Sequence, residues 1–332
     1  MITFTDFVRL PPPADPEQAA YKDWLHLNVV DTADGWVGVF NASLHGSPRD
    51  ARSLALGTAL IYHPSLGWIG NMEVTDLASA SIQPAFIGVR RMGMASSPAP
   101  AAIQLSVDRM DERVSAQILC TAVQDPILIE LPLPFGRGWI SWNVVPRLKP
   151  QGELSVDGVA LPLNLARAYH DHNWGRWYWG DDIGWEWGYF GGASVSVVFA
   201  RTSNRAHSSL GAPWLSVHRN GISRRFPEPL VACHFEGSWQ GRLRRLPGAM
   251  AALHQDRARP SLPRRVTILG AEPPDELTLT FEAVAAAQLI AGDPAGHGYS
   301  FIHQIAGTFQ MEGRLGGESI YERGSAIFEY VD

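Results

Sequence analysis

One stretch of the chain combines acidic, imidazole and indole groups at a density that suggests chemistry. Residues 169–190 read YHDHNWGRWYWGDDIGWEWGYF and hold five of the twelve tryptophans, together with two histidines, three aspartates and one glutamate. A hydrophobic core is filled more easily by Leu, Ile and Val, because each buried Trp needs a partner for its N–H and each buried carboxyl must be paired or neutralised. The stretch therefore predicts a cavity with aromatic walls and acids that point into it.

Asp171 is the first candidate for a proton donor in this cavity. Protonation of an unactivated C=C bond needs an acid that stays protonated near neutral pH, whereas an exposed Asp has a pKa of ~3.9. Burial can raise that pKa by up to about 3–5 units. His170 and His172 are candidates to hold the Asp171 carboxyl in place or to return its proton. Glu186 and Asp182 are reserve acids, although Asp182 also fits an ordinary turn and Glu186 a solvent-facing strand position.

The His-x-His spacing of His170 and His172 also occurs in metal sites. In cupins the pair is followed about four residues later by Glu. The corresponding position here is Arg176, a cation, and no third ligand lies near in sequence. We therefore predict no metal, and we expect at least one of the two histidines to be structural, bonded to neighbouring backbone.

Alternation in the WEWGYF segment would place several rings on one face of a strand. Trp185, Trp187 and Tyr189 would share that face, while Glu186 would point to the other. Aromatic faces stabilise a desolvated cation by about 2 kcal/mol or more per contact, so these rings suit a carbocation and equally a flat polyene. A plain hydrophobic strand core is the alternative interpretation.

Further side chains are predicted to line the same cavity. Trp177 and Trp179 alternate in the same way just before the turn at residues 180–184, and Asn173, Tyr178 and Tyr189 could orient a water or a polar group of a substrate. Trp142 and His303 could reach the cavity from other parts of the chain. The predicted substrate-binding residues are Trp142, Asn173, Trp174, Trp177, Tyr178, Trp179, Trp185, Trp187, Tyr189 and His303.

Short strands must position these residues, because strand signals dominate the chain. Two-residue turns at Asp157-Gly158 and Asn220-Gly221 separate alternating runs, which is typical of hairpins. Further hairpins are predicted around residues 33–35 and around Gly191-Gly192. Strands at intervals of roughly 8–12 residues favour sandwiches or barrels over a parallel α/β sheet.

The chain is therefore predicted to be all-β, with two antiparallel barrel-like or sandwich-like domains and few short helices. Helical periodicity is limited to residues 16–25 and 248–256. A length of 332 residues allows two domains. We place them at residues 1–155 and 156–332, with the YHDHNWG motif in the second.

Composition excludes several function classes. The 27 Lys and Arg residues against 33 Asp and Glu residues give a net charge of −6, and no long run of like charge offers a nucleic-acid surface. The two cysteines, Cys120 and Cys233, are too few for a disulfide framework or a cysteine metal site. Without a signal segment or a run of about 18 apolar residues, we expect a cytoplasmic protein for which peripheral membrane contact stays open. The sequence predicts no oligomeric state.

Several segments resemble a known superfamily. SWNVVPRL at residues 141–148, YHDHNWG at residues 169–175, the W-x-W pairs and the terminal YERGSAIFEYV are similar to the lipocalin-like carotenoid hydratases (hydroxyneurosporene synthases). Tocopherol cyclases and the fungal decalin-forming Diels-Alderases are more distant members of that group. The resemblance implies two lipocalin-like β-barrels, a ligand site between or within them, and no organic cofactor or metal.

Together these observations lead to a hypothesis about function. Asp171 would protonate a C=C bond of a hydrophobic isoprenoid, a terpenoid or meroterpenoid, and the indoles would stabilise the cation until water adds or a ring closes. The alternatives are a pericyclase, which needs shape and few hydrogen bonds, and a carrier of lipophilic molecules.

Overall fold

The computed structural model describes residues 2, 6–12, 15, 17–33, 35–246, 261–293 and 298–332, except the side chains of residues 128–131. Strands dominate this part of the chain, and three short 3₁₀ turns occur at Gln18–Ala20, Leu77–Ser79 and Glu228–Leu230. The strands form two sheets that are antiparallel apart from one parallel pair. The prediction of an all-β chain with few short helices is confirmed.

The first sheet has thirteen strands, and its centre is the segment that carries the candidate acid. The order along the sheet is β4-β3-β2-β1-β13-β11-β9-β8-β7-β6-β5, and β10 and β12 each pair with β11. The strands are β1 Tyr21–Asp31, β2 Val37–His45, β3 Leu54–His63, β4 Gly67–Asp76, β5 Ser81–Gln83, β6 Phe86–Val89, β7 Met92–Pro98, β8 Ala101–Met110, β9 Val114–Ala122, β10 Ile127–Phe135, β11 Gly138–Val156, β12 Val159–Ala160 and β13 Ala166–Arg176.

The second sheet has ten strands in the order β17-β16-β15-β14-β23-β22-β21-β20-β18, and β19 pairs in parallel with β21. The final strand of the chain thus lies beside the first strand of this sheet. The strands are β14 Gly184–Gly191, β15 Val195–Ser203, β16 Trp214–Arg219, β17 Ile222–Phe226, β18 Val231–Ser238, β19 Leu243–Leu246, β20 Pro263–Glu272, β21 Asp275–Gly292, β22 Tyr299–Leu315 and β23 Glu318–Val331.

Each sheet packs one face on its own hydrophobic core and turns the other face to its neighbour. Leu25 and Leu27 of β1 belong to the first core. Phe199 of β15 and Phe281 of β21 belong to the second. A third cluster, which includes Val39 of the first sheet and other residues from both sheets, lies between them. Because strand side chains alternate, every strand at this junction contributes alternate residues to its own core and to the junction.

The expected boundary between residues 155 and 156 does not coincide with the division between the sheets. Residue 156 ends β11, and β13, which carries YHDHNWG, pairs with β1 and β11 inside the first sheet. The first sheet therefore extends to Arg176, and the second begins at Gly184. The motif lies in the N-terminal sheet because its strand is paired there over its whole length, a contact between distant segments that local pattern does not reveal.

The hairpin predictions are confirmed by register. Val156 pairs with Val159, Arg219 with Ile222, and Gly191 with Ser196. The strands on either side of residues 33–35 also pair with each other. The two-residue turns at Asp157-Gly158 and Asn220-Gly221 explain the first two pairings, whereas the other two hairpins have longer loops.

Two other expectations need correction or stay outside the described residues. Residues 16–25 were expected to be helical, but Gln18–Ala20 forms one 3₁₀ turn and β1 begins at Tyr21. That strand is buried over nearly its whole length and includes the buried polar residues Lys22, Asp23, His26 and Asn28, so its burial does not alternate. The predicted helix at residues 248–256 lies outside the described residues.

The described chain contains no helix with the length and apolar character needed to cross a membrane. Both cysteines are free thiols, Cys120 buried and Cys233 half-buried.

Candidate active site

A cavity of about 450 Å³ lies at the junction of the two sheets. The first sheet supplies residues of β1, β2, β3, β4, β10, β11 and β13, and the second supplies residues of β14, β15, β16, β17, β21, β22 and β23. Its size is within the usual range for small-molecule sites, and most of its lining is apolar or aromatic. The cavity is therefore large enough for a small hydrophobic ligand.

Strand β13 points Asp171 into this cavity. Tyr169, Asp171 and Asn173 share one face of the strand because side chains alternate. The Tyr169 hydroxyl donates to Asp171 Oδ2 at 2.8 Å, and Asn173 Nδ2 donates to Oδ1 at 2.6 Å. The Trp187 indole N–H in turn donates to the Tyr169 hydroxyl at 3.3 Å. The carboxyl is thus fixed by two neutral donors on its own strand.

Burial raises the pKa of Asp171 from 3.8 to about 7. Hydrogen bonding from Tyr169, the charge of His170 and the Trp142 indole lower the pKa, but by less than the loss of hydration raises it. Glu329 raises it further by charge repulsion. Asp171 is therefore protonated in a large fraction of molecules near neutral pH, as a proton donor must be.

A second carboxyl, Glu329 of β23, lines the same cavity and was not singled out from the sequence. Burial raises its pKa from 4.5 to about 7, against the lowering effect of hydrogen bonds from Trp185 and Gln304. Trp185 Nε1 donates to Oε1 at 2.5 Å, and Gln304 Nε2 donates to Oε2. The sequence feature that could have indicated Glu329 is its position as the single acid in the apolar strand segment AIFEYV, at residues 326–331.

Six tryptophans line the cavity, three of them from the stretch that the sequence singled out. The six are Trp24, Trp142, Trp179, Trp185, Trp187 and Trp214. Trp24 and Trp179 are stacked with centroids 6.3 Å apart and an interplanar angle of 9°, and Trp142 meets Trp214 edge to face at 6.1 Å. The predicted binding residues Trp142, Asn173, Trp179, Trp185 and Trp187 are thus brought together at the cavity.

Trp174 and Trp177 pack outside the cavity lining. Trp174 lies against the Arg9 guanidinium, 3.8 Å from its ring centroid, and against His172. Trp177 is fully buried behind the cavity wall, edge-on to Trp24 at 5.0 Å. Strand alternation places Trp174 on the face of β13 opposite Asp171. Neither Trp174 nor Trp177 therefore lines the cavity.

Tyr178, Tyr189 and His303 also lie outside the cavity lining. Tyr178 is at the surface beneath Arg137, and the Tyr189 hydroxyl donates to the Ala168 carbonyl at 3.2 Å within the sheet junction. His303 is buried between the Gln288 side chain and the Tyr330 carbonyl. These three side chains satisfy protein partners instead of facing a ligand.

His170 and His172 project from the opposite face of β13, so the expectation that they hold Asp171 needs correction. His170 contacts the His26 carbonyl at 2.8 Å and Asp6 Oδ2 at 2.9 Å. His172 lies between Asp6 and Asp23, with Nε2 3.0 Å from Asp23 Oδ2. Alternation of side chains on the strand is the physical reason. The pair fastens the N-terminal segment to the first sheet, so its role is structural.

The charges of this histidine network are set by mutual pairing. Burial lowers the pKa of His172, but the carboxylates of Asp23 and Asp6 outweigh it and raise that pKa to about 10. Burial raises the pKa of Asp6, but the two histidines reverse this effect and lower it below its ordinary value. An imidazolium between carboxylates is the resulting state. In the described part of the chain, no group of three or more His, Cys, Asp or Glu side chains has a metal-binding arrangement.

The reserve acids are held in ion pairs or turns. Glu186 borders the cavity but is fully buried, with Arg201 Nε 2.6 Å and His207 Nδ1 2.7 Å from its carboxylate oxygens. As expected from alternation, it leaves β14 on the face opposite Trp185, but it is not solvent-facing. Asp182 accepts the Arg205 backbone N–H at 3.1 Å, as a turn residue does. Asp171 is better placed than either to deliver a proton.

Two imidazoles of the cavity lining were missed by the sequence analysis. Burial lowers the pKa of His26 to about 4 and that of His45 to about 3. Both are therefore neutral at pH 7. The His45 Nδ1 accepts the Trp179 indole N–H at 3.3 Å, which orients that ring. His26 lies 2.8 Å from Asn28 Oδ1 and edge-on to Trp187.

Comparisons with known proteins show the fold of the chain. No family model and no curated protein matches the sequence. Several solved structures match over nearly the whole chain. A protein of Nitrosomonas europaea, provisionally assigned as AttH, has a TM-score of 0.64 at 14% identity and covers 96% of this chain and 98% of its own. Kievitone hydratase from Nectria haematococca has a TM-score of 0.63 at 13% identity, with 98% and 93% covered. CghA with Sch210972 has a TM-score of 0.58 at 11% identity, with 95% and 89% covered.

At such low identity, these similarities establish a shared fold and leave activity open. The two-sheet, lipocalin-like all-β architecture that the sequence resemblance implied is confirmed. The chain has the fold of these proteins.

Proposed function

We propose that this protein is an enzyme that protonates a C=C bond of a hydrophobic isoprenoid and guides the resulting carbocation to hydration or cyclisation. The observation that carries the proposal is Asp171, a buried carboxyl whose pKa is raised to about 7 and which faces a cavity lined by six indoles. A kievitone hydratase has the same fold, which supports an addition of water to carbon.

The carboxyl is equipped for both of its protonation states. In the acid form, each oxygen keeps acceptor capacity for its hydrogen bond from Tyr169 or Asn173, and the proton occupies a remaining site. After transfer of the proton to carbon, the same two donors stabilise the carboxylate. Positioned general acids of this kind contribute about 10²–10⁴-fold to rate.

The cavity walls match the demands of the cation. Trp187 lies beside the acid, because its indole N–H donates to Tyr169, and Trp142 is also close enough to influence the Asp171 carboxyl. Each desolvated contact between a cation and an indole face contributes about 2 kcal/mol. A substrate of terpenoid or meroterpenoid size fits the volume of about 450 Å³. No step of this scheme requires an organic cofactor or a metal.

Product analysis in D₂O tests the proposal. The purified protein is incubated with geranylgeraniol, squalene and a farnesylated hydroquinone, and products are analysed by mass spectrometry. We expect a hydrated or cyclised product with one deuterium on carbon, and a rate that falls as the pH rises above about 7, because the acid form of Asp171 is lost. Asp171→Asn should lower the rate about 10²–10⁴-fold.

Asp182→Asn is the matched control, since that carboxylate lies outside the cavity and binds the Arg205 backbone. It should leave the rate unchanged. Full activity in a folded Asp171→Asn protein would contradict the proposal, and so would recovery of every compound unchanged and free of deuterium, as a lipid carrier would return it.

A shape-driven pericyclase is the second candidate, because CghA, whose structure contains Sch210972, has the same fold. Such an enzyme needs a shaped cavity and a few hydrogen bonds, not a strong acid. Retention of much of the rate in Asp171→Asn, with no deuterium on carbon, would favour it.

A further inference from the structure

We infer that Glu329 is the second acid–base residue of the cavity, the carboxylate that accepts the proton released when the carbocation is quenched. The inference rests on the proposed function and assigns the proton-accepting step to a residue on the other sheet.

The strand register places Glu329 at the cavity. In β23, it lies between Trp187 of β14 and Gln304 of β22, and directly paired residues of antiparallel strands share a face. All three side chains line the cavity. The acid of one sheet and the carboxyl of the other thus border the same space, and each is near enough to the other for Glu329 to raise the pKa of Asp171 by charge repulsion.

The hydrogen-bond partners of the two carboxyls differ in a way that assigns their roles. Glu329 is held by an indole N–H and an amide N–H₂, groups that can only donate, so both of its oxygens are kept as acceptors. Asp171 has one donor-only partner, the Asn173 amide, but its other partner, the Tyr169 hydroxyl, can also accept a hydrogen bond from a protonated carboxyl. The arrangement favours the proton on Asp171 and the negative charge on Glu329.

Charge repulsion between the two carboxyls also favours a state with one proton on the pair. Two carboxylates in one poorly hydrated site repel each other, so the second ionisation is suppressed. Burial raises both pKa values to about 7. One carboxyl protonated and one ionised is the state that a sequence of proton donation and proton acceptance needs.

Gln304 holds the Glu329 carboxyl in place at the cavity. Its Nε2 donates to Glu329 Oε2, and both side chains line the cavity. The amide N–H₂ can only donate, so it fixes this oxygen of Glu329 as an acceptor.

The reaction balances with these two groups. The π electrons of the alkene take the Asp171 proton, which forms a C–H bond and leaves a carbocation and the Asp171 carboxylate. The oxygen of water then forms a C–O bond, and its surplus proton passes to Glu329. Transfer of that proton back to Asp171 restores the starting state, so the net reaction is addition of water to the alkene. If a ring closes and a C–H bond breaks instead, Glu329 accepts that proton and the net reaction is an isomerisation.

Isotope exchange separates this role from a structural one. Glu329→Gln is incubated in D₂O with the farnesylated hydroquinone and geranylgeraniol. Asp171 should still protonate the alkene, but the cation can then only return its proton to Asp171. We expect product formation to fall about 100-fold or more while deuterium accumulates in the recovered compound. Asp171→Asn should show neither product nor exchange.

Glu322→Gln is the matched control on the same strand, because that carboxylate binds the backbone N–H groups of Ala193 and Ser194 outside the cavity. It should keep the wild-type product and isotope pattern. Glu329→Met, a similar volume without charge, provides a second variant should the Gln protein fold poorly, and the same exchange without product is expected.

Two results would overturn the inference. Product formation by folded Glu329→Gln or Glu329→Met at the wild-type rate would refute it while leaving the role of Asp171 intact. Loss of both product and exchange in folded variants would reduce Glu329 to a structural residue. If the wild-type protein places no deuterium on carbon in either compound, the proposed function and this inference fail together.

Discussion

At the scale of single residues, environment sets opposite states for two aspartates near the same strand. Asp171 faces an apolar cavity and neutral donors, so burial raises its pKa to about 7. Asp6, on the other side of β13, faces His170 and His172, and these outweigh burial and lower its pKa below the ordinary value. The same kind of side chain therefore keeps its proton up to about pH 7 in one place and is ionised throughout the neutral range in the other.

Keeping the Asp171 carboxyl out of water also carries a stability cost. A rise of its pKa from 3.8 to about 7 corresponds to about 4 kcal/mol of lost folding free energy once the pH exceeds the higher value. The cost is absent below pH 3.8, where the group is protonated in both folded and unfolded chains.

At the scale of elements, β13 separates chemistry from structure by alternation. Its cavity face carries Tyr169, Asp171 and Asn173, while its other face binds the N-terminal segment through His170 and His172. The segment is fixed further by the Val8 N–H, which donates to the Pro84 carbonyl at 2.8 Å. The strand therefore supports the active site from behind with a buried ion network.

Asp6→Asn tests this network. The change leaves the buried His172 with one carboxylate partner, and breaking a buried ion pair costs about 3–5 kcal/mol, so we expect a loss of that order in the free energy of unfolding at pH 7. Denaturant titrations measure it. Asp157→Asn, in the half-exposed pair with Arg113, is the control and should cost under about 1 kcal/mol.

The pH dependence of the Asp6→Asn effect has a defined sign. The pKa of His172 is raised to about 10, so its stabilisation is complete below its unfolded value of 6.5 and is lost as the pH rises through about 10. The pKa of Asp6 is lowered, so its contribution is present above 3.8 and is lost as the pH falls further. The difference in the free energy of unfolding between wild type and Asp6→Asn should therefore be largest between pH 3.8 and pH 6.5, where both contributions are complete. A difference that stays constant up to pH 11 would contradict the network.

Sequence reasoning could predict the residues on the cavity face of β13, but not the partners of the histidines on its other face. Asp171 followed from its residue type among indoles, and period-two alternation places Tyr169 and Asn173 beside it. The partner of the histidines could not be found in this way, because Asp6 is more than 160 residues distant in sequence. The histidines were consequently expected to hold Asp171, whereas they bind Asp6 and Asp23.

At the scale of the whole molecule, the site exists because two sheets meet. Each sheet has its own core, and the cavity lies in the junction between them. Lys22 of β1 joins the sheets. Its Nζ donates to the Trp177 carbonyl at 2.5 Å and lies 3.6 Å from Asp293 Oδ2, just beyond β21, and both side chains are fully buried.

Lys22→Met tests this connection. The variant leaves Asp293 buried without its cation, so we expect the free energy of unfolding to fall by about 3–5 kcal/mol. Denaturant unfolding followed by tryptophan fluorescence measures the change. Glu318→Gln breaks the exposed pair with Arg219 and should cost under about 1 kcal/mol. Equal stability of Lys22→Met and wild type would show that the ion pair between Lys22 and Asp293 does not hold the sheets together.

Local signals and distant contacts explain what could be predicted of the whole molecule. Two-residue turns fixed the hairpins at Asp157-Gly158 and Asn220-Gly221, and strand spacing indicated the all-β class. The division between the sheets depends on the pairing of β13 with β1, about 145 residues apart, so it was misplaced. Glu329 was missed for the same reason, since its cavity partners lie on strands that sequence spacing alone does not bring together.

The central claim is that Asp171 is a cavity carboxyl that still holds its proton in about half of the molecules at pH 7. Carboxyl ¹³C NMR of protein labelled at aspartate, titrated from pH 3 to 10 with the signal assigned by Asp171→Asn, measures this directly. We expect an apparent pKa near 7 for Asp171, with a second inflection from its coupling to Glu329. An Asp171 signal that titrates at or below its ordinary value of 3.8 would contradict the proposed proton donor.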